Sequence, residues 1–225
     1  LKKGESTVSS IIQGTWIKVW DLFVRCSHWA LAAAFAIAYL SAEEETGGPD
    51  LLHVWGGYAV GIIVVLRVVW GLIGTPHARF SDFAYSPMST LRYLNDLLRG
   101  HGRRYLGHSP AGAAMVFALL VCLAATVGTG LVAYGDRGKG PLASGGGVAM
   151  TQAHAEENEV RSEPGLEGRG DGRESLIGEL HGTLANITLG LVILHILGVG
   201  WASVVHRENL VAAMFSGRKR PIDKI

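Results

Sequence analysis

The sequence predicts an all-α integral membrane protein, a four-helix bundle with both termini cytoplasmic. Three observations predict it. Apolar residues gather in four blocks near twenty residues long, Lys and Arg concentrate in alternate connecting segments, and histidines recur inside the blocks at helical spacing. All 225 residues are read as one membrane domain.

The first span is placed at 22–40, because Trp29 to Leu40 is unbroken by charge. The second, 51–73, joins Leu51–Leu66 to Val68–Gly74 through the single cation Arg67. A third, 111–134, falls in a stretch without any charged residue. The fourth, 177–205, contains the run Leu180–Val205, which is uncharged apart from its two histidines. Runs of this length match a hydrocarbon core of about 30 Å. Between the second and third spans, Ser89 to Arg99 carries leucines at helical spacing and reads as a short amphipathic helix on the membrane surface.

The connecting segments carry the orientation. Residues 1–25, 74–110 and 206–225 together hold fourteen Lys/Arg against six Asp/Glu, whereas 41–50 and 135–176 hold five against twelve. The positive-inside rule therefore puts both termini and the 74–110 loop in the cytoplasm. The formal net charge of +1 is a near-cancellation between two faces and is no sign of nucleic-acid binding. No signal-peptide pattern precedes the first span, so a cleaved leader is not expected. The two cysteines, Cys26 and Cys122, imply no disulfide framework. No C-x-x-C-H run occurs, so a haem here would be held by ligation and packing alone.

Four histidines carry the chemistry. His181 and His195 lie fourteen residues apart, two heptads, so they return to nearly the same helix face about 21 Å further along. With alternating spans, His28 near the inner start of the first helix matches His195 in depth. His53 near the outer start of the second matches His181. Each pair can supply both axial nitrogens of one iron. Polar groups at membrane depth are costly and usually functional, which favours ligation over packing for a matched set. His77, His101, His108, His154 and His206 are read as solvated surface, with His77 or His206 as possible neighbours of a quinone headgroup. Arg25 lies one helical turn from His28, and Arg67 lies fourteen residues beyond His53 at inner depth. Either could neutralise haem propionates. Gly56, Gly57, Gly61, Gly182 and Gly190 offer thin helix walls, or close packing through the Gly57/Gly61 spacing. The tryptophans lie mostly near span ends, as in an aromatic belt.

Trp20-Asp21, Val24-Arg25, His28-Trp29, Leu52-His53-Val54-Trp55-Gly56-Gly57-Tyr58, Arg67 to Trp70-Gly71 and His77-Ala78-Arg79-Phe80 form a series of motifs. With Glu179-Leu180-His181-Gly182, Ala185-Asn186, His195 and His206-Arg207-Glu208-Asn209-Leu210, this series resembles the bacterial cytochrome b561 family. The likeness extends to the b-type subunits of nickel-iron hydrogenases and formate dehydrogenases. It covers nearly all of the chain except residues 135–176, whose Gly-rich and acidic composition is read as an extended outer loop, flexible or ordered by a partner.

The resemblance implies two haem b groups, with His28, His53, His181 and His195 as axial ligands and none from the third helix. It also implies a multi-pass protein of the bacterial inner membrane, surrounded by lipid. Its electrons would pass between quinone and a periplasmic partner such as a cytochrome c or a hydrogenase. Two rival readings are superoxide:quinone oxidoreduction, which the acidic outer segments oppose by repelling a small anion, and a haem-free proton or metal transporter.

Overall fold

A computed structural model describes residues 16–42, 51–143 and 167–221, with side chains from residue 176 onward in the last segment. Residues 1–15, most of the segments 41–50 and 135–176, and His154 lie outside the described residues. Four helices have the length and composition to cross a membrane: Leu22–Leu40, Leu51–Ile73, Pro110–Asp136 and Leu176–Val205. They coincide with the four spans read from the sequence. The chain divides into two compact units, Leu1–Leu120 with Gly190–Ile225, and Val121–Leu189.

In the first unit a two-residue strand β1 (Ile17–Lys18) leads into α1 (Leu22–Leu40) and α2 (Leu51–Ile73), followed by a 3₁₀ turn (Phe80–Asp82) and α3 (Pro87–Leu98). The unit also takes in the beginning of α4 (Pro110–Asp136), the end of α5 (Glu167–Val205), α6 (Leu210–Ser216) and β2 (Arg218–Lys219).

Helix starts follow capping chemistry. The Asp21 carboxylate accepts from Val24 N–H at 2.8 Å, Ser86 Oγ from Ser89 N–H at 3.3 Å, Ser109 Oγ from Gly112 N–H at 3.2 Å, and Asn209 Oδ1 from Ala212 N–H at 2.8 Å. Pro87 and Pro110 open α3 and α4, where a missing N–H costs nothing. Gly217 ends α6 with φ of 76° and donates to Ala213 O. Its own carbonyl accepts from Val19 and Trp20 N–H. A Cβ at Gly217 would stand 2.7 Å from Trp20 O, so only glycine allows this closure of β1 on β2.

Two side-chain packings fix α2. Gly56 brings it against α1, since a Cβ there would lie 3.0 Å from Ala38 Cβ. Gly57, by contrast, has no protein atom within 4 Å of a built Cβ, so the packing glycine is one residue from the position expected. Gly71 receives Phe80, whose ring would be 2.2 Å from a Cβ there. The Arg67 guanidinium lies 5.4 Å from the Phe80 ring centre and donates to Ala78 O at 3.2 Å. Phe80 meets Phe83 edge to face, and Phe117 packs on both at tilted angles.

Two expectations change, the start of α5 and the place of Trp20. Helix α5 begins at Glu167, so the last part of the segment read as loop is helical. The amphipathic α3 exposes Met88, Leu91 and Leu98 but buries Tyr93 and Leu97. It is tied down where Trp201 Nε1–H donates to Leu97 O. Trp20 is buried beside Val19, Val24 and Ala78, so it is a core residue and not a member of a surface belt.

In the second unit α4 and α5 meet through polar atoms. Thr188 is fully buried, and its hydroxyl lies 3.3 Å from that of Thr126.

Replacing Gly71 by Ala should displace the Phe80 ring and destabilise the protein by about 1–3 kcal/mol, the usual cost of overpacking. Gly57→Ala should be near neutral. Thermal unfolding in detergent reads both, and equal melting points for the two variants would contradict this packing.

Candidate functional site

The structure brings His28 and His195 together within the first unit. Their ring centres lie 6.3 Å apart with the planes at 59°. An imidazole centre stands roughly 1.1 Å from its nitrogens, given ring bonds near 1.33 Å. Bonds from imidazole to a first-row metal are about 2 Å. Two rings facing each other across one ion should therefore have centres about 6 Å apart, and the observed spacing fits a shared iron. His28 Nδ1 is buried without a hydrogen-bond partner, an expensive state for a ring nitrogen in an apolar site. The ring also meets Trp29 edge to face at 5.1 Å.

The other two sequence-selected histidines are each anchored. His53 Nδ1–H donates to Ala38 O at 2.8 Å, a last-turn carbonyl of α1. His181 Nδ1–H donates to Thr126 O at 2.9 Å. A carbonyl only accepts, so each bond assigns the proton to Nδ1 and, in the neutral ring, puts the lone pair on Nε2, the nitrogen that would ligate a metal. His53 belongs to the first unit and His181 to the second.

The two arginines are held differently. Arg25 Nη2 donates to Phe215 O of α6, and its Nε is enclosed without a partner. Trp29 stacks on Phe215 at 4.3 Å, so α6 covers the start of α1. Arg67 is buried and braces the turn at Ala78 and Phe80.

Two histidines read as solvated surface are not. His108 packs against Phe83 at 4.2 Å and Trp20 at 4.7 Å, and its Nδ1 is enclosed without a partner. Burial, helped by the nearby cations Arg67 and Lys219, pushes its pKa down to about 3. His206 Nε2 meets Tyr93 OH at 3.2 Å, and burial followed by Arg104 lowers its pKa. His77, with φ of 69°, and His108 line a pocket of about 290 Å³ together with Asp82, Tyr85, Arg104 and Tyr105.

Two polar networks escaped sequence reasoning. Asp21 accepts from Trp70 Nε1–H at 3.0 Å and from the Thr75 hydroxyl. Burial raises its pKa, but these donors and Val24 N–H outweigh burial and hold it below the usual carboxylate range. Arg104 binds Glu208 through two N–H groups at 2.7 and 3.0 Å, and donates to Arg220 O and Pro221 O. Burial opposes ionisation of Glu208, yet Arg104 keeps its pKa low.

A family model described as prokaryotic cytochrome b561 matches residues 19–217. No significant match was found among curated proteins or among solved structures.

A histidine that stays neutral in the folded state favours folding fully above the unfolded pKa, near 6.5. That contribution is lost progressively as pH falls from there toward about 3. The melting temperature should therefore drop between pH 7.5 and 5, and His108→Phe, which keeps the ring packing, should reduce the drop. An unchanged pH slope in the variant would contradict the buried, neutral assignment.

Proposed function

Because the chain belongs to the prokaryotic cytochrome b561 family, and is thus a membrane b-type cytochrome of electron transfer, we propose that it carries two haem b groups. In this reading it passes electrons between the quinone pool and a periplasmic redox partner, a cytochrome c or a hydrogenase module. His28 and His195 hold one iron at the cytoplasmic side of the inner membrane. His53 and His181 hold the other at the periplasmic side. The 6.3 Å spacing of the His28 and His195 ring centres carries the reading.

A haem held by a pair of these histidines would supply one-electron transfer. The chain's own residues do the rest. Backbone carbonyls of Ala38 and Thr126 hold the His53 and His181 rings in one tautomer. Arg25, one turn from His28 and with its Nε unpartnered, is the nearer cation for an inner propionate. Arg67 adds positive charge at the same depth while bracing Ala78 and Phe80. The pocket lined by His77, Asp82, Tyr85, Tyr105 and His108 is assigned to the quinone headgroup, since it sets polar partners among aromatic walls. The partner is assigned to the opposite face, where segments 41–50 and 135–176 hold twelve acidic residues against five basic ones.

A pyridine haemochrome assay on the purified protein should give two haems per chain. His195→Ala should lower this to one, as should His28→Ala. A count of one in the wild type would overturn the two-haem reading, and loss of both haems from a folded His195→Ala protein would overturn the pairing.

Electron transfer to a basic cytochrome c should slow as ionic strength rises, because exposed charges are screened over about 8 Å at physiological salt. A rate independent of salt in stopped-flow measurements would remove the acidic face as the docking surface.

A further inference from the structure

Helix α4 contributes no histidine, yet in the second unit it builds the seat of one. Hydroxyls in an apolar helix must find partners within it. Thr126 Oγ1–H donates to Cys122 O at 2.8 Å. Thr188 on α5 does the same to Leu184 O at 2.8 Å. The Thr129 hydroxyl is shared between Ala125 O at 2.9 Å and Thr126 O at 3.0 Å. Its hydrogen is thereby committed, so its oxygen presents a lone pair. The group 3.4 Å from that oxygen is His181 Nδ1. The ring therefore meets two acceptors, the Thr126 carbonyl and the Thr129 hydroxyl oxygen, and both select the proton on Nδ1.

The next residue sets the ring's position. A Cβ at Gly130 would lie 2.9 Å from His181 Cε1 and 3.2 Å from Nδ1. Only glycine lets α4 come this close to the imidazole. Gly128, two residues earlier, has no protein atom within 4 Å of a built Cβ, so the need is specific to position 130. Thr126, Thr129 and Gly130 thus form the surface of α4 on which the ring lies.

We propose that Thr129 and Gly130 are positioning residues for His181, fixing its tautomer and ring plane and through them the reduction potential of the haem that His181 ligates. The proposal rests on reading His181 as an axial ligand. A ligand imidazole that donates from its second nitrogen is more basic, which favours the oxidised metal. The ring plane sets how the imidazole orbitals meet those of the iron, and low-spin electron paramagnetic resonance reads that angle directly.

The test uses the purified haem-loaded protein. His181→Ala should remove one of the two haems. Gly130→Ala should shift the largest g value and the midpoint potential of that same haem, or lose it, and leave the other haem at its wild-type values. Thr129→Val should shift the same haem, Thr129→Ser should restore it, and Gly128→Ala should leave both unchanged. The unaltered second haem serves as the check on folding. Should Gly130→Ala lose both haems, Thr129→Val with its serine rescue decides.

If Gly130→Ala and Thr129→Val leave both haems at wild-type values while His181→Ala removes one, the seat is refuted and the ligand reading stands. If His181→Ala removes neither haem, the ligand reading itself fails, and the proposal with it.

Discussion

Lipid offers no hydrogen bonds, and that constraint decides where every polar atom along the four spans can go. The backbone spends its own donors and acceptors within the helices, so a side chain must use a carbonyl at a helix end, share one inside a helix, or find a side chain on another element. His53 takes the first route at Ala38, His181 the second at Thr126, and Trp70 the third at Asp21. Arg67, the cation inside the second span, reaches the turn after its own helix at Ala78. Against this background the two enclosed and unpartnered atoms on one turn of α1, Arg25 Nε and His28 Nδ1, stand out. The fold leaves polar valence uncommitted beside the facing imidazoles of His28 and His195.

The same constraint explains what could be read in the sequence. Span boundaries were legible because lipid excludes most charge over a fixed thickness, and the helices Leu22–Leu40 and Leu51–Ile73 follow the apolar blocks, each with a single cation, Arg25 or Arg67. The proximity of His28 to His195 was legible too, since alternating spans sort residues by depth. The anchoring of the histidines was not. Ala38 and Thr126 act through carbonyl groups that every residue possesses, so their side chains carry no mark of the role. Gly130 is one of several glycines in apolar helices, and only the approach of His181 separates it from Gly128. A run such as Thr126-x-x-Thr129-Gly130 in an otherwise apolar helix was the available signal.

The loop 74–110 was misread for a related reason. Arg103-Arg104-Tyr105 with neighbouring His101 and His108 has the composition of solvated surface. Arg104 is instead neutralised by Glu208, more than a hundred residues away, and His108 lies between Trp20 and Phe83. Local polarity does not reveal a distant partner. Lys219 completes the arrangement, donating to Tyr105 O at 3.3 Å with its ammonium 5.7 Å from the centre of the Trp20 ring. Polar residues of the loop thus form part of an interior shared with the tail.

Synthesis runs from the N-terminus, and Arg104 must wait for its partners. All of them, Glu208 and the carbonyls of Arg220 and Pro221, leave the ribosome only after the fourth span. Until then the loop between α2 and α4 holds an unpaired guanidinium, and β1 lacks β2. Domains generally assemble from the N-terminus as they emerge, at about 5–20 residues per second. Here residues 208–221 complete the first unit, so its closure must await segments that emerge after the fourth span. Contacts of such long sequence separation also form slowly. A nascent chain stalled before residue 208 would thus present four apolar spans without the polar clasp that joins the loop between α2 and α4 to the segment after α5.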